Sequence, residues 1–143
     1  MENREGLIWF DGEFVDWKDA NIHILNHGLH YASSVFEGER SYSGKIFKVR
    51  EHTERLFDSA KALDLKIPYS IEEIIDASYK ALELNNLTDA YLRPIVWRGS
   101  EMGVSAPNAK VHCAIAVWEW PTYFTPEEIL KGIKVTLSEW KRP

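Results

Sequence analysis

Residues 26–42 read NHGLHYASSVFEGERSY and contain the pattern that decides the fold. Residues 34–42 are typical of a β-strand, in which side chains alternate between two faces of a sheet. One face then carries Phe36, Gly38, Arg40 and Tyr42, and the other carries Val35, Glu37, Glu39 and Ser41. Two aromatic rings, a glycine and a cation on one face suit a ligand with an apolar part and an anionic part. The alternative is an ordinary edge strand with a solvated arginine.

The composition limits the class of protein. The chain has 143 residues, of which 45% are hydrophobic, and this is enough for one domain with a buried core. A net charge of −5 without any basic run argues against a nucleic-acid surface. The single cysteine, Cys113, lies in an apolar run, which predicts a buried thiol in a reducing, cytoplasmic compartment. No stretch approaches the roughly 20 apolar residues of a membrane span.

The first half of the chain combines short strands with two long helices. Asp11-Gly12 between two apolar runs predicts a hairpin, and residues 22–25 are predicted to form a short strand. The apolar period of residues 50–65 indicates an amphipathic helix. A second helix begins after Ser70, where Glu73 completes a capping box.

The second half of the chain contains three further predicted strands. Residues 90–98 form one, and Pro94 implies that it is an edge strand or contains a bulge. Residues 111–120 are apolar on both faces and therefore predict a central strand. A short helix follows Thr125, and alternation over residues 133–137 predicts the last strand. The chain is therefore predicted to be an α+β domain, mostly antiparallel sheet with two long helices.

Arg55 is a candidate anion-binding residue. It lies beside apolar positions of the first long helix, where a guanidinium that binds an anion would be held. An exposed ion pair with Glu51, one helical turn earlier, is the alternative.

Tyr91 and Arg93 share one face of their strand, as Phe36 and Arg40 do on theirs. Two such faces in one sheet would line a pocket with cations at its rim. An exposed aromatic ring covered by the stem of an arginine is the other interpretation of this spacing.

His27 and His30 are three residues apart, a spacing that two metal ligands can use. No third ligand has a suitable position in the sequence, so no metal site is predicted. Motifs of serine hydrolases, P-loops and paired-cysteine sites are also missing from the sequence.

Several short segments follow one another along the whole chain in the order found in one enzyme family. They are WFDGE (9–13), HYASSVFEG (30–38), REH (50–52), RL (55–56), DSAK (58–61), YLRP (91–94), MGV (102–104) and SEWKRP (138–143). In these segments the chain resembles the N-terminal half of the class IV, fold type IV, pyridoxal-phosphate aminotransferases, and most closely the branched-chain amino-acid aminotransferases.

The resemblance implies a role for each matching side chain. Arg55 would bind the phosphate of the cofactor, pyridoxal 5'-phosphate, through two parallel hydrogen bonds. Phe36, Tyr91 and Tyr123 would line the pocket for the substrate side chain, and Arg93 would receive the distal carboxylate of glutamate or 2-oxoglutarate. This interpretation requires Arg55 to share a hollow with Phe36 and Tyr91.

Three further residues complete the implied substrate site. Arg40 would support the wall that contains Arg93. Tyr31 and Val104 would be contributed by one subunit to the pocket of its neighbour, in a homodimer or a higher homo-oligomer.

The implied activity of the whole enzyme is reversible amino-group transfer between L-leucine, L-isoleucine or L-valine and 2-oxoglutarate. The Schiff-base lysine of the family follows a Trp-x-Arg segment, which here is residues 140–142, directly before Pro143. We therefore expect residues 1–143 to be the N-terminal small domain, ending in the interdomain connection, and to be inactive alone. The alternatives are a D-amino-acid aminotransferase or aminodeoxychorismate lyase of the same fold, or a non-catalytic anion-binding or dimerisation module.

Overall fold

In the computed structural model the chain folds into a mostly antiparallel sheet that is backed by two long helices. The structure describes residues 4–106, 108–120 and 124–141. Its strands are β1 (Leu7–Phe10), β2 (Glu13–Asp16), β3 (Ser34–Phe36), β4 (Glu39–Tyr42), β5 (Lys45–Ile46), β6 (Ala90–Arg98) and β7 (Val111–Trp118). Its helices are α1 (His27–Tyr31), α2 (Val49–Ala62), α3 (Ile71–Leu84) and α4 (Pro126–Lys131). Within the described residues the strand order is β2-β1-β7-β6-β4-β5, with β3 also paired to β6. The predicted α+β class is confirmed.

Local sequence signals placed most of these elements correctly. The Asp11-Gly12 turn joins β1 to β2, and β7 lies between β1 and β6, as its apolar composition predicts. At the start of α3 the Ser70 hydroxyl accepts from the backbone N–H of Glu73, whose carboxylate accepts from the Ser70 N–H at 2.7 Å. This capping box satisfies backbone donors that a helix start leaves unpaired.

The prediction that Pro94 marks an edge strand is wrong. Strand β6 is paired on both sides, with β7 on one and with β3 and β4 on the other. The register is the same before and after Pro94, because Phe36 pairs with Ile95 and Glu39 pairs with Leu92. Since proline has no N–H, one ladder bond is missing opposite Glu37, and the strand predicted over 34–42 divides there into β3 and β4. The bond that remains at this step runs from the Glu37 N–H to the Pro94 carbonyl at 2.9 Å.

Two other predicted strands do not form. Residues 22–25 are irregular and lead into α1, which the sequence analysis did not predict. Residues 133–137 alternate in sequence but have no regular secondary structure, and Leu137 is 95% exposed. A strand gains its hydrogen bonds from a neighbour, and the described part of the chain offers none there.

The core lies between the sheet and helices α2 and α3. Its centre consists of side chains that are 0–2% exposed, namely Leu56, Ile74, Leu92, Val96, Ile115 and Val117. Cys113 is buried in the same core as predicted, and burial raises the pKa of its thiol to about 12. Every helix of the described residues is too short or too polar to cross a bilayer.

Candidate functional site

The segment from β3 to β4 presents different side chains to the two faces of the sheet. Glu37, Glu39 and Ser41 are buried on the side that α2 covers, whereas Phe36 and Tyr42 are more than half exposed on the other side. The predicted alternation is therefore confirmed. We call these surfaces the helix face and the open face.

Arg55 belongs to the helix face. Its Nε and Nη2 atoms donate to the two carboxylate oxygens of Glu37, each at 2.5 Å, in a planar two-bond pair. The Nδ1 atom of His52 lies 2.9 Å from the same carboxylate. The alternative partner Glu51 bonds to Lys48 instead, so the ion pair expected within the helix is replaced by one from the helix to the sheet.

A second carboxylate lies beneath this pair. Burial by itself would raise the pKa of Glu37, but the hydrogen bonds from Arg55 and His52 outweigh burial and hold this pKa below its usual value. Glu39 is 1% exposed and its Oε2 atom has no partner in the described chain. Burial and the neighbouring negative charge of Glu37 raise the pKa of Glu39 to about 8. One of the two carboxyl groups is thus charged and the other neutral near pH 7.

Arg55 does not share a hollow with Phe36 and Tyr91 within the described chain. It approaches the segment containing Glu37 from the helix face, whereas Phe36 and Tyr91 project from the open face. The two sides meet at the edge of the sheet, because no strand of the described chain pairs with the outer side of β3. The predicted phosphate-binding role of Arg55 stays a prediction, and its two parallel hydrogen bonds are made to Glu37.

Arg93 occupies the open face. Its guanidinium carbon lies 4.3 Å from the centre of the Phe36 ring and 5.3 Å from that of Tyr91. Its Nη2 atom donates to the Tyr91 hydroxyl at 2.8 Å. Its Nε atom is buried and has no partner among the described residues. The structure therefore brings together three of the predicted residues, Phe36, Tyr91 and Arg93. The Nε donor of Arg93 remains available to a ligand.

The register explains why the arginine can lie flat on the sheet. Arg93 is paired with Ala116 on β7, and the same register places it opposite Gly38. Both neighbours are small, so they leave a trough between the strands. A Cβ atom on Gly38 would collide with the Tyr91 hydroxyl, which explains the glycine at this position.

Arg40 lies one step further along the open face. It is paired with Tyr91 across the sheet, and its guanidinium carbon lies 5.7 Å from the Tyr42 ring centre. It is therefore adjacent to the Phe36–Tyr91–Arg93 group but is not hydrogen-bonded to Arg93. Tyr123 lies outside the described residues.

Tyr31 and the loop that contains Val104 come together in a separate group. The Tyr31 hydroxyl donates to the Met102 carbonyl at 3.2 Å, and Val104 is 83% exposed. His27 is buried between helix α1 and this loop, where its ring contacts the Tyr31 ring at 4.5 Å between centres. The spacing of His27 and His30 does not serve a shared ligand here, since His30 contacts the Ile24 carbonyl.

An apolar cavity of about 300 Å³ lies on the open face, with Arg93 on one side and helix α1 on another. Helix α1, strands β1, β6 and β7 and the segment before α1 line it, and Arg93 and Ser34 supply polar atoms. Representative lining residues are Phe10, Ile22, Leu29, Ile95, Trp97 and Ala114. The open face thus offers apolar surface with a cation at one end.

Comparison with known proteins assigns this arrangement to a family. The family described as amino-transferase class IV matches residues 34–143. The chain belongs to the class IV aminotransferase family. It is 48% identical over 99% of its length to a branched-chain-amino-acid aminotransferase of Pseudomonas aeruginosa, and it covers 48% of that relative. The chain spans about half the length of the curated relatives it matches.

Solved structures of the same family have the same fold. The branched-chain amino acid aminotransferase from Escherichia coli superposes with a TM-score of 0.85 and 39% identity, over 98% of this chain and 46% of that one. The T.th. branched-chain amino acid aminotransferase complexed with N-(5'-phosphopyridoxyl)-L-glutamate superposes with a TM-score of 0.78 and 39% identity, over 82% of this chain and 41% of that one. The family resemblance read from the short segments is confirmed. The expectation that this resemblance requires a hollow shared by Arg55, Phe36 and Tyr91 is wrong, because Arg55 lies on the helix face and the two rings lie on the open face.

The partners of the site residues were not predicted from the sequence. Glu37 was placed on the correct face but was not linked to Arg55, and His27 was considered only as a metal ligand. A signal for the first was available, because His52 and Arg55 are three residues apart on a helix and face one anion. The second depends on a contact between residues 76 positions apart, which no local pattern encodes.

Proposed function

We propose that residues 1–143 form the N-terminal small domain of a pyridoxal-phosphate-dependent aminotransferase that moves the amino group between branched-chain L-amino acids and 2-oxoglutarate. The observation that carries the proposal is Arg93, a partly buried cation lying against the rings of Phe36 and Tyr91. The names of the relatives favour this reaction over the D-amino-acid and lyase alternatives and over a non-catalytic module.

A single wall of this kind suits two different substrates. The rings and aliphatic side chains of the open face accept a leucine-like side chain by excluding water from it. When the substrate is glutamate or 2-oxoglutarate, the distal carboxylate finds the Arg93 guanidinium, whose Nε atom is not used inside the described chain. The alternation of substrates that transamination requires is therefore compatible with one pocket.

The helix face suits the cofactor phosphate. Glu37 accepts from Nε and Nη2 of Arg55, and Nη1 has no hydrogen-bond partner within the described chain, so it can donate to an anion at the edge of the sheet. The Arg55 side chain is 64% exposed and reachable from that edge. The donor set thus fits a phosphate group, with Glu37 orienting the arginine and the phosphate approaching its free side.

The cofactor, when bound, supplies the electron sink that amino-group exchange needs. The residues of this chain bind and orient: Arg55 takes the phosphate, and Phe36, Tyr91 and Arg93 take the substrate side chain. The Tyr91 hydroxyl accepts from Arg93, so its own proton is free to donate to an oxygen of the substrate. We place the lysine that bonds to the cofactor after Pro143 and assign no catalytic role to Lys141.

The remaining parts of the proposal concern assembly and location. Tyr31 and Val104 occupy one exposed patch, which supports a role at the pocket of a neighbouring subunit in a homodimer or higher homo-oligomer. The free thiol of Cys113 supports a cytoplasmic location.

The proposal is tested on the full-length enzyme by measuring amino-group transfer to 2-oxoglutarate from L-leucine and from D-alanine. We expect transfer from L-leucine and none above background from D-alanine. Residues 1–143 alone, incubated with pyridoxal phosphate and then borohydride, should give no reduced adduct concentrated on one lysine. Preferential use of D-alanine, or a specific adduct on one lysine of residues 1–143, would contradict the proposal.

A further inference from the structure

Hydrogen bonds of one buried residue, His27, connect helix α1 to the loop formed by residues 99–110. The backbone N–H of His27 donates to the Gly99 carbonyl at 2.8 Å. Its ring bridges the Ser33 hydroxyl, 2.5 Å from Nδ1, and the Gly103 carbonyl, 3.2 Å from Nε2. The ring is 5% exposed, so each of these polar contacts is shielded from water.

The two ring contacts define the tautomer of the imidazole. A backbone carbonyl is only an acceptor, so the Nε2 atom that faces Gly103 carries the proton. The Nδ1 atom of the neutral ring then accepts from the Ser33 hydroxyl, which can rotate to donate. Both ring nitrogens are satisfied in this arrangement, and the ring therefore has one preferred orientation.

Arg98 fastens the far end of the same loop. Its Nη1 atom donates to the Ala106 carbonyl at 2.9 Å, and its Nη2 atom donates to the Asp64 carbonyl at 3.0 Å beyond the end of α2. Ala106 is itself buried. Gly103 and Val104 therefore lie between two hydrogen-bonded contacts of the loop, one with the His27 ring and one with the Arg98 guanidinium.

Val104 itself is held only through its backbone neighbours. Its side chain is 83% exposed and belongs to neither buried cluster of the described chain. The position of its methyl groups is consequently set by the Gly103 carbonyl, which accepts from the Ala106 N–H at 3.1 Å within the loop and from the His27 ring of α1 at 3.2 Å. A loss of the His27 contact leaves Tyr31 as the other hydrogen-bonded link between α1 and residues 102–104.

We infer that His27 is a positioning residue that sets the apolar selectivity of the substrate pocket by fixing the loop of residues 102–104. This inference rests on the proposed function, in which Val104 and Tyr31 complete a pocket for a branched aliphatic side chain. Leucine depends on the placement of such apolar walls, whereas the distal carboxylate of glutamate is held by Arg93. Displacing the loop therefore affects the two substrates unequally.

Three variants test the inference. His27→Ala removes both ring contacts, His27→Gln retains a donor that can reach the Gly103 carbonyl, and His30→Gln is the matched control on the same helix. The His30 side chain is exposed and contacts the Ile24 carbonyl, not the loop. The loop is followed in the 143-residue chain by hydrogen exchange of the Ala106 amide, which donates to the Gly103 carbonyl. Selectivity is followed by steady-state kinetics of the full-length enzyme.

We expect the His27 ring proton on Nε2 in a nitrogen–proton correlation spectrum. In His27→Ala, exchange of the Ala106 amide and KM for L-leucine should each rise about tenfold, which corresponds to about 1.4 kcal/mol, the size of one hydrogen bond. The kcat and KM for L-glutamate should change less than about twofold. His27→Gln should recover most of both effects, and His30→Gln should match the wild type.

A ring proton on Nδ1, equal effects of the His27 and His30 variants, or equal increases of KM for both substrates would overturn the inference. Failure of His27→Gln to restore exchange would do the same, since a packing role alone would then account for His27→Ala. If the wild-type enzyme does not transaminate L-leucine, the proposed function is wrong, and the role of His27 in substrate selectivity is then wrong as well. The exchange and tautomer results would still report on the loop contact independently.

Discussion

The helix face and the open face of the sheet are built from the same strands but differ in how far their side chains are buried and paired. On the helix face the side chains of Leu56, Ile74 and Leu92 are essentially inaccessible, and Arg55 there is paired with Glu37 within the chain. On the open face Phe36 is 57% exposed, and Arg93 has an unused buried donor among the described residues. The helix face contains the main core and keeps Arg55 in an ion pair within the chain, whereas the open face leaves a buried donor of Arg93 unpaired among the described residues.

The period of two in a β-strand makes this division possible. Glu37 and Gly38 are adjacent in sequence, yet Glu37 orients Arg55 on one side and Gly38 makes room for Arg93 and Tyr91 on the other. The two arginines therefore lie on opposite sides of one sheet edge. A ligand that crosses this edge can contact both.

The largest difference between the faces should appear in stability. Leu56→Ala leaves a cavity between α2 and the sheet and should lower the free energy of unfolding by about 3 kcal/mol. Phe36→Ala removes an exposed ring with one cation–π contact and should cost about 1 kcal/mol or less. Urea unfolding of residues 1–143 measures both, and similar losses would show that the open face also carries the fold.

The next effect is a pH dependence confined to the helix face. The pKa of Glu39 in the folded chain, about 8, lies above its ordinary value of 4.5, so the folded protein keeps a proton that the unfolded chain releases. The stability from this group is complete below the unfolded pKa and is lost as the pH rises through 8. Glu39→Gln should unfold with a free energy that is about 1–3 kcal/mol higher than that of the wild type at high pH.

The check is urea unfolding of Glu39→Gln and of the exposed control Glu13→Gln at about pH 6 and about pH 9. The pKa of Glu37 is lowered, so its contribution is lost only in acid, outside this window. An equal fall in stability for the wild type and Glu39→Gln between the two pH values would rule out Glu39 as the source.

A smaller effect should be confined to the open face. In Gly38→Ala the new methyl group meets the Tyr91 hydroxyl, which lies at the end of a side chain that can tilt away. We expect a loss of about 1 kcal/mol or less and a rise in KM for L-glutamate of about threefold to tenfold, because Arg93 loses its hydrogen bond to Tyr91. In the Tyr91→Phe background the stability cost should largely disappear. Additive costs would place the strain elsewhere.

The sequence predicted the fold wherever its signals were local. The Asp-Gly hairpin, the two amphipathic helices, the capping box of α3 and the alternation of faces before Tyr42 depend on neighbours a few residues away, and all of them form. The errors have a common physical cause. Alternation over 133–137 and the proline in β6 could be interpreted only with knowledge of which strand lies alongside, and pairing is not encoded in a single segment.

The candidate site was predictable to the same extent. Periodicity placed Phe36 with Arg40 and Tyr91 with Arg93, and the register of β6 joined the two pairs on the open face. It could not show that Arg55 would approach the edge from the other side already bonded to Glu37, because that contact depends on how α2 packs against the sheet. The role of His27 depends on a loop fold and was invisible for the same reason.

The division of labour between the two arginines is tested most directly by the dissociation constant of pyridoxal 5'-phosphate in the full-length enzyme. Methionine at either position keeps an unbranched stem without the charge. We predict that Arg55→Met raises this constant about tenfold or more and that Arg93→Met changes it less than about twofold. Unchanged cofactor binding in Arg55→Met, or an equal loss in Arg93→Met, would contradict the assignment of the helix face to the cofactor and of the open face to the substrate.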